Sequence, residues 1–204
     1  MIPVNASDSE LDATFERLFA VMGSEPFLTS TGITKEVSLF IQPYPIELQN
    51  AVEKRIHSLA NRLSAQGNAV LPIHLLELVR EFTSRDDRLA RLLEKETTFT
   101  RPKMLSTMAR WTDPKEHLIP AMREKFDAAP WDLALVHGCG AVFPFLRTHT
   151  ILENLQTDMD TRPIVFFFPG EYQHREAAGS DLQLFGKLSH KGYYRAFNLD
   201  HYFL

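Results

Sequence analysis

Asp132-Leu133-Ala134-Leu135-Val136-His137-Gly138-Cys139-Gly140 is the stretch whose reading decides the fold. Leu133 to Val136 is an unbroken apolar run, introduced by Pro130 and closed by two glycines, and it is too short for an ordinary helix. Such a run reads as a strand buried on both faces, as in parallel sheets. Ile164-Val165-Phe166-Phe167-Phe168, between Pro163 and Pro169-Gly170, repeats the pattern. The spacing predicts a helix from about Ala141 to Leu155 between them. Strand, helix and strand in that order predict parallel strands joined by right-handed crossovers.

Working toward the N-terminus, Val37 to Ile41 is a third buried run, ending at Pro43 and Pro45. Leu48, Val52, Ile56, Leu59 and Leu63 follow at helical steps, with a stop at Gly67. Ala69 to Ile73 reads as another strand, placed at a sheet edge by Pro72. Val37 to Ile73 thus has the length and order of a βαβ element. Ahead of it, Ser7 and Glu10 form a capping-box signature before Leu11, Phe15, Leu18 and Met22, predicting a first helix. Residues 75–130 keep helical spacing almost throughout, whereas 182–204 is aromatic-rich and ambiguous between strand, turn and helix. The expectation is one α/β domain over 1–204. It has a small, mostly parallel twisted sheet flanked by helices, with a helical insertion between the second and third strands.

A chain of 204 residues with 44% hydrophobic content can bury a substantial core. Its 26 acidic and 22 basic residues give a net charge of -4, so direct DNA binding is not expected from bulk charge. Scattered basic residues such as Arg85, Arg88, Arg91 and Lys95 are a weaker, local alternative. Cys139 is the single cysteine, which rules out an intrachain disulfide and suits a reducing, cytoplasmic setting. The first residues lack a signal-peptide pattern. Ile164 to Phe168 falls far short of the roughly 20 apolar residues of a membrane span.

The turn His137-Gly138-Cys139-Gly140 stands where open α/β sheets bind anions, so Gly138 and Gly140, with Arg147 and His149 on the predicted helix, form a candidate anion or ligand site. Against it, Phe143 occupies the place of the third glycine of a dinucleotide fingerprint, and the chain has no phosphate-loop motif. A plain tight turn, a surface arginine and a half-buried histidine sharing a face with Val142, Phe145 and Leu152 explain the same residues. His137, Cys139, His149 and His174 lack the paired spacing of a zinc site, so no metal and no cofactor are expected. Cys139 and His137 have no third, orienting group, and Asp132, Glu153 and Glu171 form no acid–base pair; no catalytic residue is assigned. Tyr193, Tyr194, Arg195 and Phe197 are of the types that anchor protein interfaces. The rings folding back over the sheet is an equal alternative.

Three segments carry a resemblance. Leu135-Val136-His137-Gly138 leading into Val142-Phe143-Pro144-Phe145-Leu146-Arg147-Thr148-His149 is similar to the strand-to-helix segment of the BrxB family. Val165-Phe166-Phe167-Phe168-Pro169-Gly170-Glu171-Tyr172 is a second match, and Leu184-Phe185-Gly186-Lys187-Leu188 with Tyr193-Tyr194-Arg195-Ala196-Phe197 a third. The resemblance implies a component of BREX (bacteriophage exclusion), a bacterial system that marks host DNA by adenine methylation and blocks phage replication. It implies a non-enzymatic assembly or adaptor subunit whose partner is first of all PglZ, with the BREX ATPase or methyltransferase as an alternative further partner. Glu171 and Tyr172 then join the four tail residues as candidate partner-binding positions. A nucleotide- or phosphate-responsive module built on residues 137–140 is the alternative.

Overall fold

The first helix starts where its capping box says it must. In the computed structural model, which describes residues 2–29, 38–155, 162–175, 179–192 and 194–202, α1 spans Asp8–Met22. Ser7 Oγ accepts the Glu10 N–H at 3.3 Å, and the Glu10 carboxylate accepts the Ser7 N–H at 2.7 Å. The short α2 (Glu25–Leu28) leads toward β1 (Leu39–Tyr44), all six residues of which are buried. Next come α3 (Gln49–Ala65) and β2 (Val70–His74). The helical insertion is α4 (Leu75–Ser84), α5 (Arg88–Glu94), α6 (Arg101–Trp111), one π-helical turn at Pro114–Leu118 and α7 (Ile119–Ala128). The chain continues with β3 (Leu133–His137), α8 (Thr148–Leu155), β4 (Ile164–Arg175), β5 (Gly179–Leu184), β6 (Leu188–Gly192) and β7 (Ala196–Asn198).

Strands β2-β3-β4-β1-β7 lie side by side in that order and are all parallel. The two-residue period of a strand sorts their side chains into two cores. Phe40, Leu133, Leu135, Val165 and Phe167 pack with Leu18, Val52, Ile56 and Leu59 of α1 and α3. Ile41, Val136, Phe166 and Phe168 pack with Leu78, Met122 and Ile151 of α4, α7 and α8. Both faces are covered, which is why the strand sequences read as continuous rather than alternating apolar runs. Pro72 does sit on an edge strand, β2, where its missing N–H costs no ladder bond.

Two expectations are corrected, the start of the helix after β3 and the end of β4, and two open points, the strand order and the tail, are filled in. The expected β–α–β order is present, with β1 and β2 parallel and joined by α3, and β4 and β3 lie between the two strands. The helix expected from Ala141 begins only at Thr148, because Pro144 has no N–H for a helical bond and disfavours a helical Phe143. Turns, such as Ala141 N–H to Gly138 O, fill the interval. Nor does β4 stop at Pro169-Gly170. Gly170, at φ 151°, carries the chain from the parallel sheet into an antiparallel hairpin with β5 and β6, and a Cβ there would stand 2.0 Å from the Gln183 carbonyl oxygen. Finally, the ambiguous tail from Leu182 resolves into strand and a terminal 3-10 turn, Leu199–His201. Val37, at the start of the expected first strand, lies outside the described residues.

Buried hydrogen bonds hold β7 at its edge. Gln42, inside β1, donates to Asp200 Oδ1 at 3.0 Å, and Arg17 of α1 donates to the Leu199 carbonyl at 2.8 Å. Tyr172 Oη donates to the Ala196 carbonyl at 2.7 Å and Asn198 Nδ2 to the Tyr172 carbonyl at 3.0 Å.

Candidate functional site

His137 follows Leu133 and Leu135 in strand parity, so its ring turns to the α3 face, where it is 2% exposed. A buried imidazole needs a partner. Glu53, on α3, supplies it: its carboxylate Oε1 accepts a hydrogen bond from His137 Nδ1–H. The parallel register sets His74, the last residue of β2, directly against His137, with the rings edge to face at 4.9 Å. His74 Nε2 approaches the same carboxylate oxygen at 3.8 Å. Gly138, at φ 75°, makes room for this ring: a Cβ at that position would lie 2.7 Å from it.

The network extends along α3 to β1. Tyr44 Oη donates to Gln49 Oε1 at 2.6 Å, and Gln49 Nε2 donates to Glu53 Oε2 at 3.0 Å. His57, one helical turn beyond Glu53, stands edge to face with His137 at 5.4 Å. Burial alone would raise the Glu53 carboxyl's pKa, but the His137 hydrogen bond and the rings of His137, His74 and His57 hold it below the ordinary range. For His74, burial, aided by His137, outweighs Glu53 and Glu77 and lowers the pKa. The strand carboxyl ends therefore gather one carboxylate and two imidazoles, with His57 alongside, at the usual location of ligands in open α/β sheets.

The residues of the expected anion site divide among separate neighbours. Gly138 abuts His74, while a Cβ at Gly140 would meet Phe185 and Pro169. Arg147 is exposed, over the Phe143 ring at 5.6 Å. His149 stacks flat on His190 of β6, ring centroids 3.5 Å apart, in a cleft on the face away from α3. It does not share a helical face with Val142 and Phe145, since α8 starts at Thr148. The turn 137–140 consequently has no helix N-terminus directly behind it. Cys139 is fully buried, which pushes its thiol up to about 12 and away from the reactive thiolate.

Of the expected partner-binding residues, Tyr172 and Tyr194 are each 1% exposed. Their rings fold back into the core, Tyr194 hydrogen-bonding His190, so neither is a surface anchor. Arg195 is exposed, Phe197 and Glu171 are half-buried, and Tyr193 lies outside the described residues.

Against known proteins, the family model described as "BREX protein BrxB" matches residues 71–199, more than half of the chain. The chain belongs to the BrxB family. A BREX protein BrxB of Bacillus cereus (strain H3081.97) is 28% identical over 177 residues, 85% of this chain and 88% of its own length. A BREX protein BrxB of Escherichia coli O9:H4 (strain HS) is 21% identical over 192 residues, 94% and 92% of the two lengths. No solved structure matches it. The BrxB match takes in β3, β4 and the hairpin, where the resemblance was read, together with His74 and His137, and it begins beyond Glu53.

Sequence reasoning missed Glu53, His57 and His74. Two faint signals were present: a histidine at the carboxyl end of two separate strands, and Glu53 and His57 at i, i+4 on one apolar-striped helix. Only the β2–β3 register, set by strand order, joins them.

Proposed function

We propose that the chain is a non-enzymatic component of a BREX anti-phage defence complex, an adaptor that docks other BREX subunits, PglZ first, with the ATPase or methyltransferase as a further contact. The observation that carries this reading is the BrxB match over residues 71–199, with two BREX proteins similar over most of the chain. Within the described residues no helix is long and apolar enough to cross a membrane.

The docking positions are the carboxyl-end face of β1 and β4 and, apart from it beside the amino end of β1, the tail around Arg195. A cavity of about 130 Å³ opens at the former between Ile2, Pro43, Tyr44 and Phe185, rimmed by Glu47 and Glu171. A side chain of PglZ with an apolar stem and a cationic head suits that combination. Arg195 is exposed on the tail, and Tyr193 is kept as an anchor for its residue type. The test is co-purification with PglZ of the full chain and of Glu171→Ala, Tyr193→Ala and Arg195→Ala variants with verified folds. Weakened capture by at least one variant supports the surface; full capture by all three, or none by the wild type, removes it.

A further inference from the structure

The chain of bonds from Tyr44 to His74 ends in an arrangement that a hydrogen-bonded pair does not need. His137 Nδ1 and His74 Nε2 are directed at one and the same oxygen, Glu53 Oε1. We propose that Glu53, His74 and His137 form a binding site for a divalent metal ion of the zinc class.

The donor set is right for it. Two imidazole nitrogens and a carboxylate oxygen are the ligands that borderline metals take, and three protein ligands leave one position open. The three ligand atoms all lie within 4.8 Å of one another. Tetrahedral zinc, with bonds of about 2.0–2.2 Å to nitrogen and oxygen, holds its ligand atoms roughly 3.3 Å apart, so only a small rearrangement of the rings is required. The ligands come from three rigid elements, α3, β2 and β3, which fixes their directions through the backbone. Gln49 holds the other carboxylate oxygen of Glu53 at 3.0 Å, the outer-shell support that metal carboxylates use. The Glu53 and His74 side chains, 23% and 28% exposed, give the ion a way in and leave the open position toward solvent.

Ligation by His74 Nε2 puts the ring proton on Nδ1, which at present accepts the Glu77 N–H at 3.3 Å. That contact is long and exposed, so the released N–H returns to water at little cost. Spacing in the sequence could not show the site, because its ligands are drawn from separate segments and are not paired as in a structural zinc motif.

The experiment is titration of the chelator-treated full chain with Co(II) and then Zn(II), followed by visible absorption and calorimetry. The expected result is one equivalent of Co(II) with the intense ligand-field bands of low coordination, displaced by Zn(II). Glu53→Gln and His74→Gln should each weaken binding by at least roughly a hundredfold, the upper end of what loss of an outer-shell group costs. His201→Gln, which removes an exposed histidine, should not. Zn(II) should also raise the Tm of the wild type and not that of His74→Gln. Absence of stoichiometric binding by the wild type, or wild-type affinity in the folded Glu53→Gln and His74→Gln variants, would overturn the proposal; if Glu53→Gln fails to fold, His74→Gln decides. Loss of PglZ capture has no bearing on this outcome.

Discussion

Two histidine pairs lie on opposite faces of the sheet, and they differ in the charge set against them. On the α3 face, His74 and His137 share the Glu53 carboxylate, and the three groups form one connected unit with Gln49 and Tyr44. On the other face, His149 lies flat against His190. Burial first, then His190 and Arg147, push its pKa down to about 4. Burial opposes the charged ring at His74 and at His149 alike; what differs is the partner, a carboxylate that joins His74 and His137 in one polar network and a second ring that only packs on His149.

The largest effect should come from removing the ring that is hydrogen-bonded to Glu53. His137→Ala leaves a cavity and strands the Glu53 carboxylate, and urea denaturation should show a loss of roughly 2–4 kcal/mol. A loss no larger than that of His149→Ala would erase the distinction between the two pairs. Next is the bond that ties the tail. Tyr172→Phe leaves the Ala196 carbonyl and the Ser180 hydroxyl without the phenol, and should cost about 1–2 kcal/mol in the same measurement.

The packed pair predicts an acid limb in the stability profile. The folded His149 pKa of about 4 lies below the ordinary 6.5, so the unfolded chain takes up the proton more readily between those values. Its contribution is fully present above about pH 6.5 and is lost as the pH falls through about 4. His149→Phe, which keeps a flat ring over His190, should flatten that part of the profile in unfolding measured between pH 7 and pH 4; an unchanged slope would contradict the assignment. Smallest of all is Arg195→Ala, an exposed position, expected to move stability by less than about 0.5 kcal/mol while weakening PglZ capture.

Most of the fold could be read from apolar runs because both sheet faces are covered, and the runs at Leu133–Val136 and Ile164–Phe168 are the direct imprint of that burial. What escaped were features set by distant partners. β4 passes through Pro169-Gly170, normally a stop, because Gly170 can adopt the conformation that joins sheet and hairpin. For Tyr194 residue type left surface anchor and folding back over the sheet equally open, and only the packing of the tail decides for burial. Glu53, His74 and His137 carry no local signature, since their meeting depends on β2 pairing with β3 and on α3 crossing beneath both.

Hydrogen exchange of the full chain with and without PglZ tests the adaptor reading most directly. Protection on adding PglZ is expected at the end of β4, at the tip of the β5–β6 hairpin and around Arg195, with α5 and α6 unchanged. Identical exchange in the two samples throughout the chain, at PglZ concentrations that saturate capture, would contradict it.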